Sequence, residues 1–211
     1  MDEFKIITQY FERKLEDNSV RVGIGDDGAV LSPDMQKDLI VVVDSMVSDV
    51  HFPVWLSPAD IGYRAVAINL SDVAAMGGTP RWMTLALTLV KPDSDWLEGF
   101  SSGLFAAAEE FNIALVGGDT TCGSDIIISV QILGDIERGG VLKRGGAEPG
   151  DGIYVSGTLG DASAGFSIME SGAPLTQASE FLVGRFQRPH PRVELGRFLR
   201  TRATAAIDLS D

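Results

Sequence analysis

The stretch from Ser57 to Gly78 limits what this chain can fold into more than any other. Ser57 can cap a helix, Pro58 suits its first turn, and Asp60 stands where a capping-box acid would. Gly77 and Gly78 supply the C-terminal stop. Between these signals Ile61, Ala65, Ile68, Leu70 and Val73 form a largely apolar cylinder, which predicts a helix buried on most sides. Asp72 does not belong in such a helix. Its carboxylate lies near the negative end of the helix dipole and loses solvation among apolar neighbours. Asn69 lies one turn earlier on the same face. Two readings follow: the helix is only half buried and Asp72 is a surface residue, or a cation compensates it.

The composition narrows the partners. A hydrophobic content of 45% with 24 glycines fits an α/β or α+β protein rich in tight turns. With 30 acids against 17 bases the net charge is −13, which argues against nucleic acid or an anionic membrane as the main partner. Small anionic substrates remain compatible, because bound divalent cations invert the local sign of a site. Cys122 is the only cysteine, so neither a disulfide framework nor a thiolate metal cluster is expected. The first residues lack the apolar core of a signal peptide. The apolar runs 39–43 and 85–90 are too short to span a bilayer, and a cytoplasmic location is expected.

In chain order, Phe4, Ile7, Phe11 and Leu15 recur at helical spacing and predict an opening amphipathic helix. A glycine loop at 23–28 leads to a short strand at 29–31, and a β-branched run at 39–43 ends in Asp44. Strands are predicted at 82–90, 113–116 and 126–133, with a long helix over 93–111 whose stripe is Trp96, Phe100, Leu104 and Ala108. Glycine and proline concentrate beyond residue 137. The expected organisation is a first domain at 1–137, a linker at 138–150, and the first part of a second α/β domain at 151–211. That second part reads as strands at 153–156 and 205–209 around helices at 161–170, 177–186 and 193–202.

Three apolar runs lead into an aspartate: Asp44, Asp119 after two glycines, and Asp208. Ligands of α/β sheets bind at the carboxyl ends of strands. One such residue is ordinarily a turn former. Three of them, beside the Asp26-Asp27 pair and the misplaced Asp72, suggest a shared site. Carboxylate oxygens without histidine or thiol partners suit a hard cation, magnesium before zinc. Two phosphate-binding motifs fail. Gly23-x-Gly25-x-x-Gly28 carries Asp26 and Asp27, which would repel a pyrophosphate, and the loop at 160–167 has Phe166 where a P-loop needs lysine. Aspartates around magnesium without a P-loop fit phosphoryl transfer by metal clamping.

The segments at 23–27, 50–52, 67–77, 117–121, 144–151, 156–161 and 207–211, in that order, resemble thiamine-monophosphate kinase, a family of the aminoimidazole-ribonucleotide-synthetase-like (PurM-like) superfamily. The resemblance implies an α/β (α+β) fold whose mixed sheet joins a second copy in a barrel, and hence a homodimer. It implies transfer of the γ-phosphoryl group of ATP onto thiamine monophosphate, with magnesium. Carried over by motif, Asp27, Asp44, Asp72, Asp119, Asp208 and Asp211 would be metal ligands, with Asp27, Asp72 and Asp119 at the catalytic centre. Gly118, Asp119, Arg144 and Ser210 would contact ATP, and His51 the substrate. Val42 stands where the family often has a hydroxyl residue, and Cys122 where it usually has arginine. The family continues well beyond Asp211, into the part that holds the thiamine moiety. The alternatives are another ATP-dependent PurM-like enzyme and a non-catalytic nucleotide-binding fragment. A selenophosphate synthetase is disfavoured, since no reactive cysteine precedes the first glycine loop.

Overall fold

The structure is a computed structural model that describes residues 2–14 and 17–209. Its centre is a four-stranded mixed sheet, ordered β3-β6-β4-β5, built from β3 (Lys37–Val47), β4 (Thr79–Leu89), β5 (Ala114–Cys122) and β6 (Ile127–Glu137). Only β4 and β5 run parallel, and the helix between them makes that crossover. Two helices, α2 (Pro58–Ala75) and α3 (Ser94–Glu110), cover one face. Leu85, Leu87, Ile128, Val130 and Ile132 of the sheet and Ile61, Leu70, Leu97, Phe100 and Leu104 of the helices fill the space between. The two helices cross at glycine contacts. A Cβ on Gly103 would stand 1.8 Å from the Ala59 carbonyl oxygen, and one on Gly62 would stand 2.1 Å from that of Phe100.

The helix signals in α2 are met. The Ser57 hydroxyl accepts from the Asp60 amide at the N-cap, and Gly77 leaves the helix at a φ of +76°. The Asp60 carboxylate is used differently from the expected capping box: it accepts from Arg188 Nε at 2.7 Å. That contact belongs to the last part of the chain, where α4 (Asp161–Ser171), α5 (Gln177–Gln187) and α6 (Val193–Leu199) lie. α6 packs on α2 closely enough that a Cβ on Gly196 would meet the Ala74 carbonyl oxygen at 1.9 Å.

Several expectations are corrected. The opening helix is short: α1 (Glu3–Ile6) passes into a π-helical turn at Ile7–Phe11, closed by the Glu12 amide on the Ile7 carbonyl at 3.0 Å. The wider turn rotates the buried face, so Ile6, Tyr10 and Phe11 are inside and Phe4 is exposed; Leu15 lies outside the described residues. A three-residue strand, β1 (Val20–Val22), pairs with β2 (Val30–Leu31) around the first glycine loop. The strands expected at 153–156 and 205–209 do not form. No partner strand is present for either among the described residues, and Ile153 and Tyr154 are almost fully exposed. α6 stops three residues short of its predicted end, because the amides of Arg202 and Ala203 both return to the Leu199 carbonyl.

The reading of aspartates at carboxyl strand ends is also overturned. Asp44 is inside β3, which runs on through Ser45 to Val47 along the sheet edge. Asp119 is inside β5, because Gly117 and Gly118 continue the strand instead of ending it. Asp208 follows no strand at all.

Candidate active site

The carboxylates gather in two places. The first is organised by Asn69. This residue is fully buried in α2, yet both ends of its carboxamide are used: Nδ2 donates to the Ala65 carbonyl at 3.0 Å, and Oδ1 accepts from the Asp44 amide at 2.9 Å. β3 is an edge strand, so the Asp44 amide is available to a helix side chain. The bond ties Asp44 to the α2 face that also carries Asp72. Asp208, from the segment beyond α6, completes the group. The Thr204 hydroxyl donates to Asp151 at 2.6 Å and the Ala206 amide to the Lys143 carbonyl at 3.4 Å, which holds that segment along residues 143–151.

Burial, then the charge of Asp208, then that of Asp44 push the Asp72 carboxyl up to about 6. The charge arrangement disfavours a third negative charge and fits a bound cation. The donor set is all oxygen, as a hard cation requires. Among the described residues no three His, Cys, Asp or Glu side chains converge closely enough to hold an ion unaided.

The second place is a cleft of about 250 Å³ between the glycine loop 23–28 and the inner part of β5. Asp26, Asp27, Thr84, Gly118, Asp119 and Thr120 contribute to its lining, and Ile7 and Phe11 of the π-helical turn close one side. Gly25, at a φ of +115°, allows the tight turn in which Asp26 Oδ1 accepts from the Asp27 amide at 2.9 Å. Gly118 lies against the Leu85 backbone with no room for a side chain. The cleft therefore offers an exposed backbone and acidic side chains, suited to a metal-bound polyanion more than to a free one.

Four of the predicted residues stand apart from these groups or beyond description. Arg144 is exposed in the 3₁₀ turn Arg144–Gly146 and does not line the cleft. His51 sits in an exposed turn after β3. Ser210 and Asp211 lie outside the described residues. Asn69 is the residue whose role the sequence reading missed. Its only sequence signal was a carboxamide in an otherwise apolar helix, three residues from Asp72.

Residues 25–136 match the family described as AIR synthase related protein, N-terminal domain, and fold and site together define a member of that class. Thiamine-monophosphate kinase of Salmonella typhimurium (strain LT2) is 45% identical over 212 residues, covering 99% of this chain and 65% of the relative. The crystal structure of thiamine-monophosphate kinase from Stenotrophomonas maltophilia K279a superposes with a TM-score of 0.88 at 46% identity, over 99% of this chain and 68% of that one. AaThiL complexed with AMPPCP and TMP gives a TM-score of 0.80 at 33% identity, over 99% and 66%. The chain belongs to the thiamine-monophosphate kinase family. It spans 65% of the length of the Salmonella relative.

Proposed function

We propose that this chain serves ATP-dependent phosphorylation of thiamine monophosphate to thiamine diphosphate, with magnesium. The observation that carries the reading is the Asp72 carboxyl, held up by burial and by the neighbouring Asp208 and Asp44, in a chain with no P-loop. The neighbour bound to AMPPCP, an ATP analogue, and TMP supports the same pair of ligands. In this reading Asp44, Asp72 and Asp208, together with Asp211, hold metal on one side, and Asp27 and Asp119 hold it at the nucleotide cleft. Bound magnesium supplies the positive charge that lets two polyanions meet. Gly118 gives the nucleotide phosphates close access to backbone, and Arg144 and Ser210 are assigned to ATP. The acceptor phosphate is mostly dianionic near neutral pH, since its second pKa is about 6, so no base has to activate it. The chain's work is positioning and charge arrangement.

The division into 1–137, 138–150 and 151–211 is proposed with this function, as is a cytoplasmic setting, where ATP is the phosphoryl donor. Among the described residues no helix is long and apolar enough to cross a membrane. Incubation with magnesium, ATP and thiamine monophosphate should yield thiamine diphosphate and ADP in equal amounts. ADP formed without thiamine diphosphate, or nucleotide binding without turnover, would contradict the reading.

His51 is assigned to the acceptor phosphate. His51→Ala should raise KM for thiamine monophosphate about tenfold or more, as loss of a hydrogen bond to a charged group does, with a smaller change in kcat. Initial-rate kinetics over both substrates would check this; an unchanged KM with a collapsed kcat would refute it.

We also propose a homodimer. Leu39, Val41 and Val43 point outward from β3, each about half exposed, on the sheet face opposite α2 and α3. An apolar edge strand of this length requires cover. A second copy of the same sheet would provide it. Sedimentation should give a dimer at micromolar protein, and Val41→Lys should shift it to monomer; a soluble wild-type monomer would count against the dimer.

A further inference from the structure

The turn after β3 fixes the histidine within it. Both backbone groups of Val47 face the turn: its carbonyl accepts from the amides of Val50 (3.2 Å) and His51 (2.9 Å), and its amide donates to His51 Nδ1 at 3.1 Å. An imidazole nitrogen that accepts from an amide carries no proton of its own. The proton of the neutral ring is then on Nε2, which has no partner among the described residues and belongs to an exposed side chain. Asp49 closes the same turn. It adopts a φ of +57°, donates its amide to the Phe52 carbonyl at 2.8 Å, and accepts from the Val54 amide at 3.3 Å. Left-handed backbone is a conformation that aspartate and asparagine tolerate and most residues do not. Phe52, almost fully buried, anchors the turn in the core.

We propose that the turn 47–52 locks His51 as the Nε2–H tautomer, with Asp49 as the positioning residue that shapes the lock. His51 then presents one donor to solvent and has no free acceptor nitrogen with which to remove a proton. That the donor serves the acceptor phosphate rests on the function proposed above. The lock itself is a property of the free protein.

Long-range ¹H–¹⁵N correlation spectra of the free, ¹⁵N-labelled protein above neutral pH test it directly. The chain has only two histidines, and His51→Gln assigns the signals. The expected pattern is a protonated Nε2 and a bare Nδ1 for His51, unchanged in Asp49→Asn and averaged between tautomers in Asp49→Ala. A protonated Nδ1, or averaging in the wild type, would overturn the lock. A wild-type pattern in a folded Asp49→Ala protein would remove Asp49 from it. Kinetics supply the second readout. Gln places its amide donor near the position of Nε2 and Asn near that of Nδ1, so His51→Gln should raise KM for thiamine monophosphate several-fold less than His51→Asn. The reverse order would count against an Nε2 donor. Absence of any kinase activity in wild type would refute the proposed function and leave the spectra to decide the lock.

Discussion

Asp72→Asn is expected to lower turnover by about a thousandfold or more while leaving the metal-free protein at least as stable as wild type. Asp72 sits half-buried near the C-terminal end of α2, where burial, then Asp208, then Asp44 raise its carboxyl to about 6 from an ordinary 3.8. The folded state therefore holds a proton on Asp72 over a range where the unfolded chain has lost it. The contribution of Asp72 to the stability of the metal-free wild type is greatest below about 4, declines as pH rises to about 6, and is level above that. Because the group is only half-buried and solvent screens it, the expected loss is only about 1 kcal/mol. Asparagine keeps the shape, drops the repulsion and cannot titrate, so the variant should lack that decline. Magnesium should raise the melting temperature of wild type and do so much less in the variant. Thermal melts across this pH range, with and without magnesium, alongside steady-state rates, check each part. A variant that unfolds yet keeps residual activity would sink the assignment.

Gly118→Ala should be the most damaging single methyl addition at the nucleotide cleft. Gly118 is paired with Leu85 across the parallel β4–β5 ladder, and an added Cβ would stand 1.9 Å from the Leu85 carbonyl oxygen and 2.7 Å from its carbon. Both obstacles are backbone, so relief requires β5 to move away from β4. The expected cost is about 2–4 kcal/mol, the range of severe overpacking. The same shift would displace Asp119, so nucleotide binding should fail even at temperatures where the variant is folded. Gly117→Ala is the control. A Cβ there meets nothing within 4 Å, and its stability should stay within about 1 kcal/mol of wild type. Denaturant melts and calorimetric ATP titrations of the two variants separate the cases. Equal stability of Gly118→Ala and wild type would show that the close contact is not real.

The helices were legible because their signals are local. Ser57 and Asp93 each accept from the amide three residues on, and the apolar stripes of α2 and α3 are buried except at Ile68 and Trp96, which are partly so. The proposed chemistry was framed by composition too, since six separated aspartates with only two histidines and one cysteine leave few metals to consider. The geometry was not. A strand ends where its hydrogen-bonding partners end, and β6 extends far enough to carry β3 past Asp44 to Val47. Gly117 and Gly118 looked like a stop, yet β4 supplies a partner for each. The apolar run at 153–156 has strand character without a partner strand among the described residues. The π-helical turn at Ile7–Phe11 shifts a hydrophobic phase that a regular period could not anticipate. Which aspartates meet is likewise a tertiary fact. Asn69 links Asp44 to the helix of Asp72 across 25 residues, and no spacing rule connects either to Asp208.

In the proposed function metal assembles this site, because the chain offers a polyphosphate acidic side chains and little basic surface. Calorimetric titration of ATP into the protein, once with excess magnesium and once with a chelator, tests it most directly. Saturable binding with magnesium, and its loss by at least about a hundredfold in affinity with the chelator, is the predicted result. Equal affinity in the two titrations would contradict the account.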